Sequence, residues 1–82
     1  MVIYEAGMLA RSKAGHDKAQ MYIIKEVDDT YVYLVDGRIR TLGHPKKKKK
    51  KHVQIVHGIY NMKELDDAGI RKLIKDWMKE EK

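Results

Sequence analysis

The chain has 82 residues, 43% hydrophobic and 37% charged, with 18 lysines and arginines against 12 acidic residues, a net charge of +6, and no cysteine. That length predicts one small domain, burying only ~60–65% of the surface its unfolded form exposes. The composition excludes disulfide staples, thiol nucleophiles and thiolate-bound zinc, and it fits a reducing compartment. No stretch approaches the ~18 apolar residues of a membrane-spanning helix. The opening MVIYEAGMLARSK has no basic segment followed by an apolar one, so no secretory signal is expected.

GMLARSK, residues 7–13, is the first expected strand, and ARSKAGHDKAQMY (10–22) carries the chain through a turn at Ala14-Gly15 with Arg11, Lys13, His16 and Lys18 around it. QMYIIKEV (20–27) alternates, with Met21 and Ile23 on one side and Tyr22 and Ile24 on the other, and predicts a second strand. Asp28-Asp29 is a turn signal. TYVYLVDG (30–37) is apolar on both faces, and Asp36-Gly37 closes it with a hairpin signal. RIRTL (38–42) reads as a short strand with Arg38 and Arg40 on one face, GHP (43–45) breaks the chain, and HVQIV (52–56) alternates again. About five short strands with tight connections predict a small closed β-barrel, because an open sheet of this size would leave two bare edges.

Residues 58–65 read as a connector in which Asn61 and Glu64 could cap a turn. From there the apolar positions Ile70, Leu73, Ile74, Trp77 and Met78 follow helical spacing. Asp66 fits the N-cap, and Leu65 with Ile70 fits a hydrophobic staple. The expected organisation is a barrel over 1–57 with a basic loop at 43–52, the connector, and a helix over 66–82 packed on the barrel.

Little here can do covalent chemistry. Ser12, Thr30 and Thr41 sit in no nucleophile motif, there is no phosphate-binding glycine loop, and His52 and His57 are five apart in an expected strand, which sends them to opposite faces. No enzyme activity, cofactor or metal site is expected.

The charge is more informative. Lys46, Lys47, Lys48, Lys49, Lys50 and Lys51 are consecutive, and removing them leaves 12 cations against 12 acids, so all the excess charge lies in one segment. Such a run is either a solvated loop or a binding element for a polyanion, nucleic acid before lipid, since no apolar anchor flanks it.

Two stretches resemble a known family. GMLARSKAGHDKAQMYIIKEV looks like a KOW motif, with Gly7, Gly15 and Asp17-Lys18 where that motif has its glycines and basic loop residue. Ala19 stands where the motif usually has glycine. The continuation is similar to bacterial KOW-domain RNA-binding proteins that resemble a large-subunit ribosomal protein of archaea and eukaryotes. Their D-G-x-x-R step, P-K-K-K and K-H are matched by Asp36, Gly37 and Arg40, by Pro45 and Lys46 to Lys48, and by Lys51 and His52. The resemblance implies an SH3-like β-barrel, a cytoplasmic location and RNA binding.

The expectation is therefore a non-enzymatic protein, monomeric when free, that binds structured RNA, with ribosomal RNA and the ribosome the partners the resemblance implies. Arg11, Lys13, His16, Lys18, Arg38, Arg40, the six lysines and His52 would form its basic surface. Tyr22, Tyr31 and Tyr33 either stack on bases or, in a chain without phenylalanine, fill the barrel; the second is expected. The alternative function is a protein-interaction module of transcription or translation, docking through the barrel and the helix.

Overall fold

The structure, a computed structural model, describes residues 3–13 and 20–80. Its strands are β1 (Met8–Ser12), β2 (Met21–Val27), β3 (Tyr31–Val35), β4 (Lys46–Lys49) and β5 (Val53–Ile59), and its helix is α1 (Asp67–Glu80). The strands form one antiparallel sheet in the order β4-β3-β2-β1-β5. The protein is thus mainly β, a small SH3-like, barrel-like sheet with a C-terminal helix.

β2 is the middle strand and has apolar residues on both faces, so it organises two core layers. Met21 and Ile23 join Leu9, Val35 and the helix residues Ile70 and Ile74 in one layer. Tyr22 and Ile24 join Ala10, Val32, Leu34 and Val53 in the other. The sheet curls because its ladders are interrupted. β2 skips a residue at Lys25 against β3, and the β1–β5 register shifts around Leu9; such bulges add local twist.

The curl stops at a half-barrel, so the expected hydrogen-bonded closure is replaced by a bridge. A single 3-10 turn, Lys50–His52, joins the edge strands β4 and β5. Lys50 N–H donates to the Thr30 carbonyl at 3.0 Å, and Lys13 N–H donates to the His52 carbonyl at 2.9 Å. The turn is held from both sides of the sheet.

The strand expected over 38–42 is a turn instead. One Asp36 carboxylate oxygen accepts from the backbone N–H groups of Arg38 at 2.8 Å and Arg40 at 2.9 Å. Asp36 and Gly37 N–H both donate to the Arg40 carbonyl, and Gly37 takes φ +78°. A side chain that satisfies these donors locally competes with a ladder. The missing strand comes from the lysine run, whose residues 46–49 are β4 rather than part of a loop. β5 also runs further than expected, to Ile59.

α1 starts where the capping residues place it. Asp66 accepts from Gly69 N–H through its side chain at 2.7 Å, and Leu65 and Ile70 pack into the same layer. Ile70 and Ile74 are buried, with Leu73 and Trp77 half-buried against them, whereas Met78 points out at 41% exposure. Two bonds pin the helix's first turns to the segment after β3: Arg71 Nη1 donates to the Gly37 carbonyl at 2.6 Å, and Leu42 N–H donates to the Asp67 carboxylate at 2.8 Å. Within the helix, the Asp66 carbonyl accepts Ile70 N–H at 2.9 Å to start the ladder.

A Cβ at Gly37 would collide with the Asp67 carbonyl oxygen and lie 2.9 Å from Arg71 Cγ, in a left-handed backbone that side chains disfavour. Gly37→Ala should therefore cost more than ~2 kcal/mol in urea unfolding, and Ile70→Ala roughly 2–5 kcal/mol. Gly43→Ala, with open space around it, should change stability by less than ~0.5 kcal/mol. A neutral Gly37→Ala would show that the turn and helix are not packed as described.

Candidate nucleic-acid interface

Lysine has little intrinsic preference for strands, so β4 exists because β3 offers it a partner. The register sets Lys46 opposite Leu34, Lys47 opposite Tyr33, Lys48 opposite Val32 and Lys49 opposite Tyr31. Side chains alternate between faces. Lys46 and Lys48 therefore share the side of the buried Leu34 and Val32 and are half-buried. Half-burial there brings their aliphatic stems to the rim of that core layer. Lys47 and Lys49 are exposed on the opposite, outer face beside Tyr33 and Tyr31.

Three of the lysines lie over tyrosine rings: Lys47 Nζ is 4.3 Å from the Tyr31 centroid, Lys46 Nζ 5.8 Å from Tyr22 and Lys50 Nζ 5.8 Å from Tyr4. The negative ring faces offset part of the repulsion among adjacent like charges. Tyr4 also donates through its hydroxyl to the Lys50 carbonyl at 3.0 Å, and Lys50 Nζ reaches the Asp29 carbonyl at 3.3 Å. Lys51 and His52 are exposed on the 3-10 turn.

The tyrosines divide. Tyr22 is a core residue, as expected for barrel filling, but Tyr31 and Tyr33 are half-exposed on the outer face, because Val32 and Leu34 occupy the inner one. Asp28 sets their surroundings. One of its oxygens accepts from Thr30 N–H at 2.9 Å and Tyr31 N–H at 2.6 Å, and the other accepts the Tyr33 hydroxyl at 2.9 Å. These donors, Tyr31 N–H foremost, hold the Asp28 carboxyl below its ordinary 3.8, while the bond to Asp28 pushes the Tyr33 phenol above its ordinary 10.0.

The other expected residues fall in three places. Arg11 is half-buried in β1, and Lys13, exposed, adjoins the lysine turn through its backbone bond to His52. Arg38 and Arg40 sit on the 36–40 turn, not on a strand face; Arg38 lines a groove of about 790 Å³ with Gln20, Asp36, Arg71, Lys72 and Lys75 of α1. His16, Lys18 and the Ala19 position lie outside the described residues. The structure thus gathers Lys46–His52 and Lys13, and sets Arg38 among helix cations.

Tyr31 and Tyr33, expected to fill the barrel, stand outside it, and the period-2 pattern carries this, since Val32 and Leu34 are the better core residues. Arg71, Lys72 and Lys75 are not singled out by the sequence, because a net charge of zero outside the lysine run carries no information on position.

No family model matches the chain, and no curated protein matches it; the likeness to KOW proteins rests on the motifs quoted above. Among the described residues, no helix is long and apolar enough to cross a membrane.

Because the Asp28 pKa is depressed in the fold, its contribution to stability is present above the unfolded value of 3.8 and lost as pH falls through the folded pKa. The stability difference between the parent and Asp28→Asn should be constant from about pH 7 to pH 5 and shrink below about pH 4. Urea unfolding at these pH values reads it; a difference that persists unchanged at about pH 2 contradicts the assignment. The raised Tyr33 value works in the other direction: its contribution is present below 10.0 and lost as pH rises through the folded pKa.

Proposed function

We propose that this protein is a non-enzymatic RNA-binding module, holding structured RNA on β4 and the turn that follows it. One observation carries the reading: the six lysines equal to the whole net charge form an ordered strand and turn, tied into the sheet at both ends. A run that served only as a solvated loop would have no need of a partner strand. Ordered cations along an edge match a phosphate backbone. The KOW resemblance supports RNA as the polyanion, ribosomal RNA in particular, and a cytoplasmic setting. An apolar anchor next to the run is missing from the sequence, which disfavours a lipid surface.

A second reading draws on the groove at α1. Arg38, Arg71, Lys72 and Lys75 surround it, Ile74 and Met78 form apolar wall, and Ile39 nearby in sequence is 84% exposed. This would suit an acidic protein segment, in keeping with KOW domains that act as interaction modules. Co-sedimentation with ribosomes or RNA polymerase that survives nuclease treatment favours this reading; loss on treatment favours RNA.

Alternation limits how many lysines can reach one phosphate strand. Lys47, Lys49 and Lys51 are exposed, while Lys46, Lys48 and Lys50 are half-buried. Replacing the three exposed lysines by glutamine should flatten the dependence of log K on log[salt] by about 2–3, at ~0.7–0.9 per contact. The Lys46→Gln, Lys48→Gln pair should flatten it by less than about 1. Titrations of labelled RNA at several salt concentrations measure both, and an equal effect of the two sets would contradict the facial assignment.

A further inference from the structure

We propose that Tyr31 and Tyr33 form a stacking platform for unpaired bases, with the phosphates of that RNA segment running along Lys47 and Lys49. The inference rests on the RNA-binding reading and narrows it, from structured RNA in general to a single-stranded loop, bulge or end within it.

The argument starts from facing. Val32 and Leu34 are fully buried, so Tyr31 and Tyr33 must face outward, and both stay half-exposed. Lys49 stands directly opposite Tyr31 and Lys47 opposite Tyr33, on the same face. Exposed aromatic rings beside cations on a sheet are what single-stranded nucleic acid needs: a π-face for the base and a charge for the phosphate.

Charge gives the platform a direction. Glu26 of β2 is exposed and paired opposite Tyr33, and Asp28, also exposed, holds the Tyr33 hydroxyl. Acids therefore flank the tyrosines on the β2 side and lysines on the β4 side. A phosphate chain is repelled from the first and attracted to the second, so its bases must point inward across β3, over the rings.

Spacing excludes a duplex from using both rings. Residues two apart on a strand are ~6.8 Å apart, about twice the ~3.4 Å phosphate rise of a duplex strand. Neighbouring bases can cover both tyrosines only when they are not stacked on each other, which requires an unpaired stretch. The Tyr33 ring is also preset, because its hydroxyl is bonded to an Asp28 carboxylate that two backbone N–H groups hold in place. Lys47 Nζ lies over the Tyr31 ring, 4.3 Å from its centroid. An exposed cation–π contact is weaker than a base stack, so an arriving base displaces the ammonium toward the phosphate it is to pair with.

The test is a competition assay at one salt concentration, with the whole chain, an unstructured RNA of about twelve nucleotides and an RNA duplex carrying the same number of phosphates. Tyr31→Leu and Tyr33→Leu should each weaken single-strand binding by about 10-fold and duplex binding by less than about 2-fold, leaving the salt slope unchanged. Tyr33→Phe, which keeps the ring and loses the Asp28 bond, should retain most single-strand affinity. The Lys47→Gln, Lys49→Gln variant should weaken both ligands and lower the slope. If the leucine variants bind single strands as the parent does, or lose both ligands equally while melting at the parent's temperature, the platform is refuted and the lysine-based RNA reading stands. If the parent binds neither RNA, both are refuted.

Discussion

The Asp36 carboxylate is buried at the end of β3, 7% exposed, and accepts the backbone N–H groups of Arg38 and Arg40 and the Gln20 side chain at 3.4 Å. Much of the architecture follows. With those donors satisfied locally, the segment just after β3 folds back on itself and leaves the free edge of β3 for whatever comes next, which is the lysine run. The same turn puts Gly37 in a left-handed conformation, where the backbone of α1 can approach closely enough for Arg71 to bond its carbonyl. One carboxylate therefore decides both which residues become β4 and where the helix docks.

A lysine strand is an unfavourable choice for folding alone, since adjacent ammonium groups repel. The structure moderates the cost in three ways. Alternation sends neighbours to opposite faces, tyrosine rings lie under Lys46, Lys47 and Lys50, and the half-buried stems add apolar cover to the rim of the core. Lysines at a sheet edge also discourage pairing with another chain. Edge protection accounts for lysine on β4 but not for Lys50 and Lys51, which lie on the turn beyond the edge strand. Any polyanion that neutralised the run would remove the residual repulsion.

The parts of the fold with internal contrast were legible in the sequence. QMYIIKEV showed its two faces through alternating residues, and those faces enter separate core layers as read. The helix was legible from Asp66 and the 3–4 spacing of Ile70, Leu73, Ile74 and Trp77. RIRTL has alternation too, but the pattern cannot show that the preceding aspartate will take its backbone donors. A homopolymer such as Lys46–Lys51 has no contrast at all, so charge alone was visible and it read as a loop. The site was half legible for the same reason. Its cations were evident, whereas the outward turn of Tyr31 and Tyr33 depends on which partner strand stands beside them, and the helix cations depend on the position of the 36–40 turn.

The register of β4 poses the same problem to the protein itself. Sliding the strand by one residue exchanges lysine for lysine, yet it sends every side chain to the other face. Nothing within the run resists such a slip, so the register has to be imposed from its ends. Upstream, Leu42 is tied to Asp67 of α1 and its carbonyl accepts Lys25 Nζ at 2.8 Å, while His44 N–H donates to Thr41. Downstream, Lys50 is bonded to Thr30 and Tyr4, and Val53 is buried in the core. A slip would pull Val53 out of its layer or break the bonds at Leu42. The identity of the outward lysines is thus set by residues that are not lysine. That is why a low-complexity run, which in isolation would grip any anion along any of its faces, is held here with Lys47 and Lys49 beside Tyr33 and Tyr31.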